Sequence, residues 1–157
     1  MLRLFPTVLT LAAPVAATAA PEKFLCSFAG HSSARENNDG GFVPGKSMLN
    51  VDAQNSTATV YDAFTHMVYN APVATKFTKK SNGMYRLRWK VKGVPVTITT
   101  TYDYGIPEII KTKFTVRYSL LFNPETLQGK LSVSGGGERF TSSGKFDCDK
   151  TNKNLVF

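Results

Sequence analysis

Reactive side chains are scarce in this 157-residue chain, which holds two histidines, two cysteines and one tryptophan. No H-x-H, H-E-x-x-H or C-x-x-C spacing occurs, so the common zinc-ligand patterns are missing. There is no G-x-S-x-G elbow of the kind that exposes a hydrolase serine. The 11 carboxylates are scattered, and the pair Asp103 and Glu108 flanks Gly105-Ile106-Pro107, where turn chemistry accounts for it. His31 falls in a loop and His66 in or near an extended segment. General acid–base work needs groups that converge with matched proton affinities, so the sequence is read as non-enzymatic, with no metal and no cofactor. Helical periodicity is also lacking: beyond residue 19 no stretch keeps an apolar period of 3.6 for three turns. Long apolar runs are confined to the N-terminus, where Pro6 and Pro14 interrupt one that is too short to span a bilayer as a helix.

That N-terminal run has the layout of a secretion signal: Arg3, then Val8, Leu9, Leu11 and Val15, then Ala17-Thr18-Ala19 as an A-x-A cleavage site. The expectation is a leader over 1–19, cut after Ala19, and an exported protein of the periplasm or extracellular space. Its only charged residue is Arg3, so of the 19 basic side chains 18 remain against 11 acidic ones, a net +7 for the mature chain. Basicity therefore belongs to the folded domain. In an oxidising compartment Cys26 and Cys148 are expected to form a disulfide. A loop of that size is worth on the order of 4 to 5 kcal/mol in the chain-entropy picture.

The mature sequence alternates apolar and polar residues with period 2, so a single all-β domain is expected over 20–148, followed by a loose tail over 149–157. Phe24, Cys26 and Phe28 share one face of a first strand. A polar loop around Asn37-Asn38-Asp39-Gly40-Gly41 follows. Strands are then read at Leu49–Val51 and Thr57–Asp62, with Phe64 to Tyr69 as a fourth strand or the continuation of the third. Val73 to Lys79 makes the next, and Ser81-Asn82-Gly83 a hairpin turn. Tyr85, Leu87, Trp89 and Val91 point one way while Arg86, Arg88, Lys90 and Lys92 point the other. Gly93 is read as a tight return into a separate strand over 94–103, and 110–122 as a long strand beyond it. Leu131 and Val133 mark another, Gly135-Gly136-Gly137 a loop, and 140–148 the last. Eight to ten antiparallel strands with the chain ends cross-linked favour a meander closed, or nearly closed, into a barrel; a β-sandwich is the alternative.

Two binding surfaces follow from that arrangement. Inside, Tyr85, Leu87, Trp89, Phe114 and Tyr118 converge and either pack or leave room for a small apolar ligand, as in lipocalin-like barrels. Outside, Arg86, Arg88 and Lys90 are expected to flank a threonine-rich strand, with Lys111, Lys113 and Arg117 on its far side. The two ladders would then stand roughly 10 Å apart and suit lipopolysaccharide, an anionic bilayer or another envelope polymer. No aromatics interleave with the basic residues, so specific nucleic-acid binding is not expected. A small outer-membrane barrel is a further alternative, and a monomer is assumed.

Several segments carry a resemblance as well: Val60-Tyr61-Asp62, Asn70-Ala71-Pro72-Val73-Ala74, Tyr85-Arg86-Leu87-Arg88-Trp89, Phe114-Thr115-Val116-Arg117-Tyr118 and Ser142-Ser143-Gly144-Lys145-Phe146-Asp147-Cys148. Together with Phe42-Val43-Pro44 they make the chain resemble a group of small exported alphaproteobacterial proteins with no established activity. The resemblance implies a bacterial envelope or secreted protein built on one β domain, and it assigns no functional residue.

Overall fold

The computed structural model describes residues 20–31, 41–101, 105–137 and 140–156. The expected leader, the Asn37-to-Gly40 turn and Asp103 lie outside the described residues. Nine strands and one short helix follow in order: β1 (Glu22–His31), β2 (Lys46–Asp52), β3 (Thr57–Asp62), α1 (Ala63–Tyr69), β4 (Val73–Ala74), β5 (Lys76–Lys79), β6 (Tyr85–Thr100), β7 (Glu108–Asn123), β8 (Gln128–Gly135) and β9 (Phe140–Lys150). They form one antiparallel sheet in the order β4-β3-β2-β1-β9-β8-β7-β6-β5. It curls into a barrel with one unsealed seam.

The first and last strands meet in the middle of this sheet. Cys26 of β1 and Cys148 of β9 are register partners, and their sulfurs are bonded across a Cα–Cα distance of 3.9 Å. The disulfide fits an oxidising, exported environment. No helix of the described residues is long and apolar enough to cross a membrane. Lys150 ends the last strand, and Thr151 donates its N–H to the Lys23 carbonyl at 3.0 Å. The tail expected from Asp149 thus starts two residues later and lies back against β1.

The seam lies opposite the disulfide, where one run of chain spans it. Val73 pairs with Val60 of β3, Thr75 donates its N–H to the Ala58 carbonyl at 2.9 Å, and Lys76 then pairs with Arg88 of β6. The chain itself therefore links the two edges where a ladder does not. α1 bridges the same gap: its last residue, Tyr69, accepts the Lys92 N–H of β6 on its hydroxyl at 2.8 Å.

Two expectations need correction. Phe64 to Tyr69 is helical, because Asp62 caps it: Asp62 Oδ1 accepts the N–H groups of Phe64 at 2.9 Å and Thr65 at 2.8 Å, and Thr65 Oγ1 accepts the Asp62 N–H at 2.8 Å. This reciprocal box satisfies orphan donors that a strand would have sent to a neighbour, and Asn70 closes the helix in the left-handed region at φ 50°. Gly93, in turn, is not a hairpin turn. It sits at φ 84° between the pairs Lys92–Thr115 and Val94–Phe114, a one-residue bulge within a single strand from Tyr85 to Thr100. Glycine takes that conformation without the steric cost a Cβ imposes.

Inside the barrel the rings touch one another. Trp89 and Tyr118 stack with centroids 4.9 Å apart, and Phe24 meets Phe122 edge to face at 4.9 Å. Leu49, Val60, Leu87, Val91 and Leu131 are fully buried around them.

Candidate functional site

β6 and β7 pair directly along their whole lengths. No threonine strand separates the two basic ladders, because the threonines continue the same strand beyond Gly93. Lys90 stands opposite Arg117, and Arg88 stands opposite Lys76 of β5. Lys130 of β8 likewise faces Lys145 of β9. All six side chains are exposed. Arg86 lies one turn of the pleat from Arg88, half-buried, whereas Lys113 and Lys111 face Pro95 and Thr97 on the distal half of the ribbon. The expected compact patch is instead a stripe, about 33 Å from the level of Arg86 to Lys111 at 3.3 Å per residue.

The charge on this wall is nearly of one sign. β5 carries two basic residues, β6 four, β7 three and β8 one, against the single carboxylate Glu108; β9, which supplies Lys145, also carries Lys150 and the carboxylates Asp147 and Asp149. Among the described residues the ion pair formed is Lys150 with Glu22 at 2.8 Å, on the other side of the barrel. None of the six opposed cations has a carboxylate partner there. Lys76, Lys130 and Lys145 were missed from the sequence patch. Their outward positions follow from period 2, but only the strand order reveals that they face other cations.

The interior residues expected to converge do so. Tyr85, Leu87, Trp89 and Tyr118 are buried and Phe114 is half-buried. Burial raises the Tyr85 hydroxyl's pKa, helped by the charge of Glu22. Sequence reasoning missed a polar cluster among them. Ser47 of β2 and Asp62 of β3 are register partners on one wall, and Trp89 and Tyr118 are register partners on another. Ser47 Oγ, Asp62 Oδ2, Trp89 Nε1 and Tyr118 Oη are all buried without a hydrogen-bond partner. Burial pushes the Asp62 carboxyl above the usual range, against the opposing pull of the Thr65 and Phe64 N–H groups, and the Trp89 indole approaches it without completing a bond. Tyr118 is held far above the ordinary phenol range by burial, then by the nearby Asp62 charge.

Among the described residues no group of three His, Cys, Asp or Glu side chains is placed to hold a metal ion. Compared with known protein families, curated proteins and solved structures, the chain matches none.

Proposed function

We propose that this is an exported, non-enzymatic protein that binds anionic polymers or lipid headgroups of the cell envelope through the outer face of β5 to β8 and the adjoining Lys145 of β9. The observation that carries the reading is the set of three like-charged pairs facing each other across the sheet, Lys76–Arg88, Lys90–Arg117 and Lys130–Lys145. Like charges directly opposite destabilise the sheet. A polyanion laid along the stripe turns that repulsion into attraction. The leader expected over 1–19 and the disulfide support an extracytoplasmic setting, where such polymers are found. A barrel embedded in the membrane would need an outward apolar band, and β6 offers Arg86, Arg88, Lys90 and Lys92 there.

The test is to replace Lys76, Arg88, Lys90 and Arg117 with glutamine and measure retention on lipopolysaccharide and anionic vesicles. Affinity should fall at least tenfold and become less salt-dependent, because four of the ten cations on β5 to β8 are removed and the attraction they supply is screened by salt. Stability should hold or rise slightly as the repulsion is relieved. Binding that survives the four changes removes this function from the wall.

The cluster of Ser47, Asp62, Trp89 and Tyr118 supports a second reading, a ligand with a small polar head inside the barrel. Unmet donors and acceptors of this kind are recognition groups when a ligand reaches them. Titration with fatty acids should then shift Trp89 emission, and Tyr118→Phe should weaken the response. Emission that stays constant up to saturating fatty acid excludes this reading.

A further inference from the structure

The outward positions of β6 and β7 form a ladder in which every one of six successive pairs carries a cation. In order they are Arg86, Arg88, Lys90 and Lys92 on β6, then Lys113 and Lys111 on β7. Five of these side chains are exposed and Arg86 is half-buried. The row changes strand at Gly93. Lys92 stands opposite Thr115, and on the next outward pair Pro95 stands opposite Lys113. The bulge adds one residue to β6 alone, so outward positions on β6 pass from even to odd numbers while those on β7 stay odd. Lys113 and Lys111 therefore continue the row that β6 begins. The pair after Lys111, Thr99 with Ile109, is uncharged, and Glu108 pairs with Thr100 one position further on, where alternation turns it to the other face.

We infer that this ladder binds one linear phosphodiester polymer of the polyol-phosphate kind, a phosphate to each rung. The inference rests on the anion-binding role of the wall and names its ligand. Successive rungs are two residues apart, about 6.6 Å, and two residues of strand contain six backbone bonds. A glycerol phosphate chain linked through its terminal hydroxyls also has six backbone bonds from one phosphorus to the next, so its extended repeat is about 7 Å. Each repeat carries one negative charge. The two rows stay nearly in step over six rungs, and the flexible basic side chains take up the remainder. Polyphosphate, with two bonds per repeat, crowds its charges, and a uronate polymer with one carboxylate per disaccharide spaces them beyond one rung. Shape favours a single chain over a flat leaflet. β5 reaches β6 no further than Arg88, and β8 reaches β7 no further than Arg117. Past the bulge the sheet is thus a two-stranded ribbon, which twists more than a wide sheet. A row that turns about its ribbon meets a plane at a few rungs, whereas a flexible chain follows it throughout. The outward face of this ribbon carries no aromatic side chain, so it offers no platform on which the bases of a single-stranded nucleic acid would stack.

The experiment titrates the protein with synthetic glycerol phosphate oligomers of increasing length, and with dextran sulfate as a polyanion of different spacing. Affinity should rise about threefold with each added repeat, the scale of an exposed ion pair, until the oligomer has six repeats, one for each rung, and only slightly beyond. Lys111→Gln combined with Lys113→Gln should move that break from six repeats to four, leave the affinity of the four-repeat oligomer unchanged, and leave the urea midpoint where it was. At equal charge, linear polyphosphate and a hyaluronan fragment should each bind at least tenfold more weakly than the six-repeat oligomer. A break that is missing or that the glutamines do not move, or polyphosphate that binds as tightly at equal charge, overturns the proposal; with dextran sulfate still retained, the wall stands as a general anion-binding face. Protein that holds neither the oligomers nor dextran sulfate removes both readings. Oligothymidylate has the same six-bond repeat, and if its hexamer binds more tightly than the glycerol phosphate hexamer, the ladder belongs to single-stranded nucleic acid and the proposal is overturned.

Discussion

Asp62 performs two tasks with two oxygens. Oδ1 caps α1, while Oδ2 is buried beside Trp89 and Tyr118 with nothing to accept from. Burial raises its pKa above the unfolded value of 3.8, so the native state holds the proton more tightly than the unfolded chain does. Its contribution to stability is complete below about pH 3.8 and is lost as pH rises through the raised native value, then levels off. Asp62→Asn keeps a side chain that caps as well as aspartate and removes the titration. The difference in urea-unfolding free energy between wild type and variant should therefore change over the window above about pH 4, with the variant gaining on the wild type as pH rises. A difference that stays constant over this window would show that Asp62 is as readily ionised in the native protein as in the unfolded one.

At the scale of elements, Gly93 forms the bulge across which β6 keeps pairing with β7. Nothing lies within 4 Å of the Cβ that Gly93→Ala would add, so its cost comes from the backbone at positive φ, about 1–2 kcal/mol. The urea midpoint should fall with the m-value unchanged; a midpoint that does not move would mean that the bulge can be remade without a left-handed residue. The same position shows what the sequence can and cannot reveal. Alternation from Tyr85 to Lys92 was legible because one face meets the barrel interior and the other meets water. Gly93-Val94-Pro95 then looks like punctuation, since a turn and a bulge need the same glycine. Pro95 also argues against a central strand, yet here β6 has β7 on one side only, and an edge tolerates the missing donor. Phe64 to Tyr69 misled for a related reason: seven residues are too few to display a helical period, and the informative signal was Asp62 with Thr65 three residues later. The basic face was readable residue by residue, but its shape depended on which strands are neighbours, and that is fixed by long-range pairing.

Across the whole molecule, the barrel is joined by a cross-link on one side and divided by a seam on the other. β1 and β9 lie side by side because first and last strands complete the meander at its centre, and the seam falls in mid-chain, where the 73–79 segment and Tyr69 span it. Opening should start there, so hydrogen exchange should be faster for the amides of β4 and β5 than for the paired amides of β1 and β9; equal protection on both sides would mean that the barrel opens as one unit. The disulfide has a mechanical consequence too. Its residues are 122 positions apart in the chain and 3.9 Å apart at Cα, so tension applied to the two ends passes through the sulfur–sulfur bond and does not load the barrel. Pulled from its termini, the oxidised protein should extend only by its short flanks. After reduction the same pull should release a further length on the order of 400 Å. A protein held by one end and tugged by the other would thus keep its fold for as long as that bond lasts.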